Sequence, residues 1–176
     1  MGEILDAAAI QEAVENLVKQ ISGRKRKPLA IVGIRSRGDE VAERVCERLK
    51  ELGQDFDFGI LDISLYRDDL AHLSSNPKLQ SSEIPFVVDE AHLILVDDVL
   101  FTGRTIRAAM DALTDYGRPR TVELAVLIDR GWRELPIQPD FVGVKLETER
   151  LDKVVVKLEK TDGVDGVDLV EGDEEP

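Results

Sequence analysis

The chain has 176 residues, 43% of them hydrophobic and 34% charged, a balance that fits one globular domain with a substantial core. No apolar run approaches a membrane span, the opening MGEILD lacks the pattern of a secretory signal, and Asp6 breaks the myristoylation pattern. The net charge of −13 argues against broad nucleic-acid binding, which draws its affinity from Lys and Arg on phosphates. Residues 161–176 hold seven acids and no Lys or Arg, but the other 160 residues still carry 29 acids against 23 bases. The lone Cys46 cannot form an intrachain disulfide, so a reducing cytoplasm is the expected compartment.

Ile10, Val14, Leu17, Val18 and Ile21 recur at helical spacing and predict an amphipathic helix over residues 6–22, ended by Gly23. The apolar run 29–34 reads as a buried strand, and Val41, Val45, Leu49 and Leu52 mark a second helix that stops at Gly53. Residues 56–65 alternate as a strand does. The polar stretch 66–88 is long for a compact domain and reads as a lid or an extended hairpin. Buried strands are expected at 93–96 and 122–128, with a helix between them carrying Ile106, Ala109, Met110 and Leu113. Residues 141–144 and 154–158 suit edge strands, and the acidic stretch 161–176 reads as a tail. Strands alternating with helices imply an α/β domain over residues 1–160 with a mainly parallel sheet, whose ligands bind beyond the C-terminal strand ends.

Three predicted strands run into polar, glycine-containing segments: Arg35-Ser36-Arg37-Gly38, Asp97-Asp98-Val99-Leu100-Phe101-Thr102-Gly103-Arg104-Thr105, and Asp129-Arg130-Gly131. All three are expected to converge on one crevice. In the second, a rigid strand presents two adjacent carboxylates that can accept hydrogen bonds from the vicinal hydroxyls of a ribose or assist a divalent cation. Thr102, Gly103 and Thr105 then open a helix, where unpaired N–H groups and the helix dipole favour a phosphate. A helix merely capped by Thr would not need two carboxylates behind an apolar strand. Ser36 can also be read as a helix cap, with Asp39 three residues on.

The second segment resembles the phosphoribosyl pyrophosphate (PRPP) motif of type I phosphoribosyltransferases. With Arg104 where most members have a second Gly, it is similar to the PyrR family of pyrimidine attenuation regulators and uracil phosphoribosyltransferases. Further blocks agree, among them Val32-Gly33-Ile34-Arg35-Ser36-Arg37-Gly38, Asp62-Ile63-Ser64-Leu65-Tyr66-Arg67-Asp68-Asp69-Leu70 and Ala125-Val126-Leu127-Ile128-Asp129-Arg130-Gly131. The resemblance implies a mainly parallel twisted sheet flanked by helices, a lid near 66–88 and a small hood near 130–145. It implies that uracil and Mg²⁺-bound PRPP give UMP and pyrophosphate. It implies that Arg35 to Gly38 is the pyrophosphate loop, with Ser36 and Arg37 on the leaving group and Gly38 allowing close backbone approach, and that Arg67 in the lid either touches pyrophosphate or is a solvated charge. Residues 97–105 bind the ribose phosphate, with Asp97, Asp98 and Arg37 as catalytic residues. Arg130 meets the ligand, Val154 either lines the nucleotide pocket or is an ordinary strand residue, and Asp97, Asp98 and Asp129 bind the metal directly or through water. UMP or UTP as effectors and assembly into a dimer or higher are also implied.

Two departures from the family bear on function. Trp132 stands where the family has His, and Trp cannot shuttle a proton, which leaves the preference among bases open. RNA-binding members carry a first helix of the form Arg-x-Leu-Thr-Arg-Ile-Ala-His-Glu. Here the stretch is Gln11-Glu12-Ala13-Val14-Glu15-Asn16-Leu17-Val18-Lys19, with the basic positions lost. Together with the acidic body this disfavours RNA binding, while the basic loop Arg24-Lys25-Arg26-Lys27 pulls the other way. The alternatives to a uracil enzyme are therefore a nucleotide-sensing attenuator with weak or lost catalysis, and a phosphoribosyltransferase for another base.

Overall fold

A computed structural model describes residues 2–67 and 81–172. In chain order the elements are β1 (Gly2–Leu5), α1 (Ala7–Ser22), β2 (Leu29–Ile34), α2 (Gly38–Glu51), β3 (Asp57–Leu61) and β4 (His92–Leu100). They continue as α3 (Arg104–Leu113), β5 (Thr121–Asp129), β6 (Phe141–Lys145), β7 (Lys153–Lys157), α4 (Glu159–Asp162) and β8 (Gly166–Val170). Five strands form a parallel sheet in the order β3-β2-β4-β5-β6, and β1-β8-β7 form a separate antiparallel sheet.

The unbroken apolar runs of β2, β4 and β5 follow from burial on both faces. Ile31, Ile94, Val96, Ala125 and Leu127 pack on one side with α1 and α2. Their sequence neighbours Ala30, Val32, Leu93, Leu95, Leu124 and Val126 pack on the other side with α3. Helix α1 starts where the Asp6 carboxylate accepts from Ala9 N at 2.9 Å, and its five predicted apolar positions are all buried. The Gln20 side chain continues it onto the sheet edge, donating to Val142 O and accepting from Val142 N.

The chain winds outward from β2 to β3, then returns to β4 on the other side of β2 and proceeds through β5 to β6. The topological switch point therefore lies between β2 and β4, where an open parallel sheet leaves a crevice at its C-terminal edge.

The small sheet differs from expectation. Residues 161–170 read as the start of an acidic tail, yet Gly166–Val170 is the central strand of the three-stranded sheet, paired on both sides. Its acidic character is offset locally, since Lys157 on β7 pairs with Asp168 at 2.9 Å. The segment expected as a hood near 130–145 contributes β6 to the main sheet instead, while residues 130–140 fold back over the loop after β4. Of the expected lid at 66–88, residues 68–80 lie outside the described residues. Glu83 forms a two-way backbone bridge to Ile60, and Ile84 and Phe86 pack against the core, so this end of the segment lies along the sheet edge.

Candidate active site at the switch point

The Arg35–Gly38 turn at the end of β2 and the carboxylates of β4 are direct neighbours. A side chain at Gly38 would meet Val96 O at 2.7 Å and both Cα and Oδ1 of Asp97 at 3.0 Å, so only glycine lets the turn lie against the strand. Arg37 caps α2 with φ +73°, a left-handed conformation uncommon outside glycine. The cap position of α2 falls to Arg37 rather than Ser36, and Arg37 makes no side-chain cap hydrogen bond.

Asp97 and Asp98 lie inside β4 rather than beyond it, because the strand continues to Leu100, pairing Asp97 with Val126 and Val99 with Ile128. Asp97 is buried and Asp98 partly so. Asp97 Oδ1 accepts from Asp98 N at 2.9 Å, and Asp98 Oδ1 from Val99 N at 2.8 Å. Burial, and then the charge of Asp98, push the Asp97 carboxyl well above the usual carboxylate range. Burial also raises Asp98, held back by its hydrogen bond with Asp97, the Val99 N–H and the Arg37 charge. Two close carboxylates that resist ionising together form a site short of positive charge.

Beyond the pair, Val99 to Ile106 and Arg67 line an open pocket of about 310 Å³. Its floor is the start of α3. Gly103 takes φ +94° and has no side chain with which to cap the helix, and the Thr102 hydroxyl accepts only from Arg104 N, at 3.3 Å. By helix geometry the N–H groups of Thr105 and Ile106 lack intrahelical acceptors, so the donors and the dipole both favour an anion in the pocket. Arg67, whose charge acts on Asp97, adds a cation to the rim.

The segment after β5 holds this loop in shape. Glu134 N and Leu135 N both donate to Thr102 O, and Arg104 Nε reaches Glu134 at 3.0 Å. The Arg133 guanidinium donates to the carbonyls of Phe101, Gly131 and Ile137, and to Asp129 Oδ1 at 2.7 Å. Arg130 stacks on the Phe101 ring, 4.0 Å from its centroid; its Nη1 donates to Asp152 O and its Nη2 to Glu149 O and Arg150 O, while its buried Nε has no hydrogen-bond partner among the described residues. Alongside, a second open pocket of about 410 Å³ is lined by residues 129–132 and 145–148. Trp132 stands half exposed at its rim, with Nε1 donating to Thr148 O.

Residues 1–160 match the phosphoribosyl transferase domain family. Over 165 residues the chain is 51% identical to the Bifunctional protein PyrR of Akkermansia muciniphila, covering 93% of each chain. It is 45% identical over 175 residues to the Bifunctional protein PyrR of Enterococcus faecalis, covering 98% of each. This chain belongs to the PyrR family. Its fold is also that of the hypoxanthine phosphoribosyltransferase of Trypanosoma cruzi, with a TM-score of 0.71 at 14% identity over 98% of both chains. A hypoxanthine-guanine phosphoribosyltransferase of Bacillus anthracis also scores 0.71, at 15% identity over 97% of this chain and 98% of that one.

Against the roles that the PyrR resemblance implies, the geometry divides the expected residues. Arg67 and all of Val99, Leu100, Phe101, Thr102, Gly103, Arg104 and Thr105 line one pocket, and Arg37 and Gly38 adjoin the carboxylate pair. Arg130 turns to backbone carbonyls and the Phe101 ring, so it shapes the loop after β4 from behind. Asp129 is engaged by Arg133 and by Gly131 N. Val154 is a partly buried strand residue packed against the core. Two contributors escaped the sequence reading: Arg133, which ties down the loop after β4, and Asp162, which grips Arg37 from the supposed tail.

No group of three or more metal-ligating side chains occurs among the described residues. The donor set instead suits Mg²⁺ held by one or two carboxylates together with oxygens of a phosphorylated ligand. The raised carboxylates of Asp97 and Asp98 are the charge-poor site such a cation would relieve. No helix among the described residues is long and apolar enough to cross a membrane. In the basic loop, Arg24 and Arg26 both lie within 3.7 Å of Glu123, so part of its charge is already paired.

Proposed function

We propose that the protein is a uracil phosphoribosyltransferase that joins uracil to the ribose phosphate of PRPP, releasing pyrophosphate. The observation that carries this reading is the succession, along one strand-to-helix segment, of the Asp97-Asp98 carboxylates, the pocket lined by residues 99–106 and the uncapped start of α3. The 5′-phosphate sits on the N–H and hydroxyl donors of residues 102–105, and the ribose hydroxyls donate to Asp97 and Asp98. Ser36, Arg37 and the backbone at Gly38 take the pyrophosphate end, with Arg67 closing over it. Asp97 and Asp98 would hold Mg²⁺ brought in with PRPP, directly or through water, and the cation would neutralise charge on the pyrophosphate.

As the bond from the anomeric carbon to pyrophosphate breaks, positive charge grows on the ribose ring beside the two carboxylates and negative charge grows beside Arg37. Both ends are stabilised by groups already in place. Uracil N1, its proton released to solvent, forms the new bond to the anomeric carbon from the pocket that Trp132 borders. Support for uracil comes from membership of the PyrR family, whose resemblance also carries a dimer or larger assembly, measurable by sedimentation. Competition of uracil, orotate, hypoxanthine and guanine for PRPP-dependent nucleotide formation tests the base. Uracil should dominate, and a purine preference would reassign the enzyme to another base while leaving the PRPP site as described.

A further inference from the structure

Arg37 is held by a residue from the far end of the chain. Its Nε donates to Asp162 Oδ2 at 3.0 Å and its Nη2 to Asp162 Oδ1 at 2.7 Å. Asp162 closes α4, and its Oδ2 also accepts from Leu158 N at 2.9 Å, which fixes the carboxylate to its own turn. That turn is anchored in its turn to the start of α2. Buried Glu40, three residues beyond Arg37, accepts from Lys160 N, Thr161 N and the Thr161 hydroxyl, and Arg44 forks onto both oxygens of Asp165 at 2.7 Å. The residues from Leu158 to Asp165 thus form a brace against the helix that the Arg35–Gly38 turn initiates.

The geometry of the Arg37 pair matters as much as its existence. A guanidinium has five N–H donors in a rigid plane. Asp162 occupies the side-on edge made of Nε and Nη2. Both donors of Nη1 and the second of Nη2 remain, and no hydrogen bond of Nη1 occurs among the described residues. The guanidinium also lies close enough to the carboxylate pair to feel the charge of Asp98. With its backbone in a left-handed conformation, a side chain this long would otherwise sweep a wide arc. A bidentate acceptor stops that motion and leaves an end-on fork, the arrangement that suits two oxygens of a phosphate.

We propose that Asp162 is a positioning residue for the pyrophosphate end of PRPP: it holds Arg37 side-on so that the remaining guanidinium edge is aimed at the leaving group. The inference rests on the phosphoribosyltransferase reading above. It treats the C-terminal brace as part of the site, although Asp162 touches no substrate.

The test is calorimetric titration of the full-length protein and its Asp162→Asn and Asp162→Ala variants with three ligands: PRPP with Mg²⁺, pyrophosphate with Mg²⁺, and UMP. Asp162→Asn keeps an acceptor for Leu158 N and so guards against a folding defect. Both variants should bind PRPP and pyrophosphate about tenfold more weakly, the scale of one well-aimed charge-assisted hydrogen bond. UMP, which has no pyrophosphate, should bind as before. In an Arg37→Ala background, Asp162→Ala should add no further loss.

Unchanged pyrophosphate binding would overturn the proposal. Tighter binding would also overturn it, because Asp162 would then be a competitor for Arg37. Equal weakening of all three ligands would reduce Asp162 to a fold-stabilising residue. A wild-type protein that bound neither PRPP nor UMP would remove the phosphoribosyltransferase reading itself, and this inference with it.

Discussion

Gly38 lies so close under Asp97 that a methyl group on its α-carbon would stand 3.0 Å from the carboxylate oxygen Oδ1. The Arg35–Gly38 turn and strand β4 thus share one van der Waals surface, with no room for adjustment. Gly38→Ala should push the two apart, at a cost of about 1–3 kcal/mol in unfolding free energy, as overpacking of a tight interior does. Affinity for PRPP should fall further than stability does, which titration and denaturant unfolding measured side by side would show.

Asp97→Asn should inactivate the enzyme yet raise its thermal stability at neutral pH. The folded state raises this carboxyl above its unfolded value, so ionising it opposes folding. In the wild type, the penalty should appear as pH climbs from the ordinary Asp range, about 4, through the raised value, and level off above it. The Asn variant, which keeps an acceptor for Asp98 N, should lack that part of the pH dependence. Melting curves across pH 4 to 9, on the order of ten points, compare the two proteins directly.

Arg133 draws together Phe101, Gly131, Ile137 and Asp129, and so fixes the loop after β4 from outside the pocket. Arg133→Ala leaves the largely buried Asp129 carboxylate without its partner and should cost about 3 kcal/mol. Arg133→Lys restores the charge but not the planar fork, so it should recover stability better than PRPP affinity. Equal recovery of both would mean the loop does not depend on the fork.

Cys46 is buried on α2, and burial pushes its thiol up to about 12. In the native protein it should resist iodoacetamide at pH 8, reacting roughly a hundredfold more slowly than after unfolding in urea. Rapid native alkylation, followed by mass spectrometry, would show that α2 opens more readily than its packing implies.

The main sheet was legible because its central strands are buried on both faces, and such strands announce themselves as continuous apolar runs between glycine-containing turns. The pocket at the start of α3 was legible for a related reason, since the glycine and two threonines that line it follow one another in the chain. Pairing between the chain ends left no such local mark. Gly166–Val170 sits in a stretch whose acids outweigh its Val167 and Leu169, and only its partners β1 and β7 make it a strand. The grip of Asp162 on Arg37 spans 125 residues of sequence and has no periodicity to betray it. Arg130 and Asp129 follow a strand end as ligand-binding residues do, yet nearby carbonyls and Arg133 claim them, a competition visible only in three dimensions.

The most direct test of the central claim is UMP formation from uracil, PRPP and Mg²⁺ by the wild-type protein and by Asp98→Asn. Asp98 borders both the charge of Arg37 and the pocket lined by residues 99–106. The account predicts PRPP-dependent turnover in the wild type and a loss on the order of a hundredfold or more in the variant, whose fold should be intact. An Asp98→Asn protein that formed UMP at the wild-type rate would contradict it.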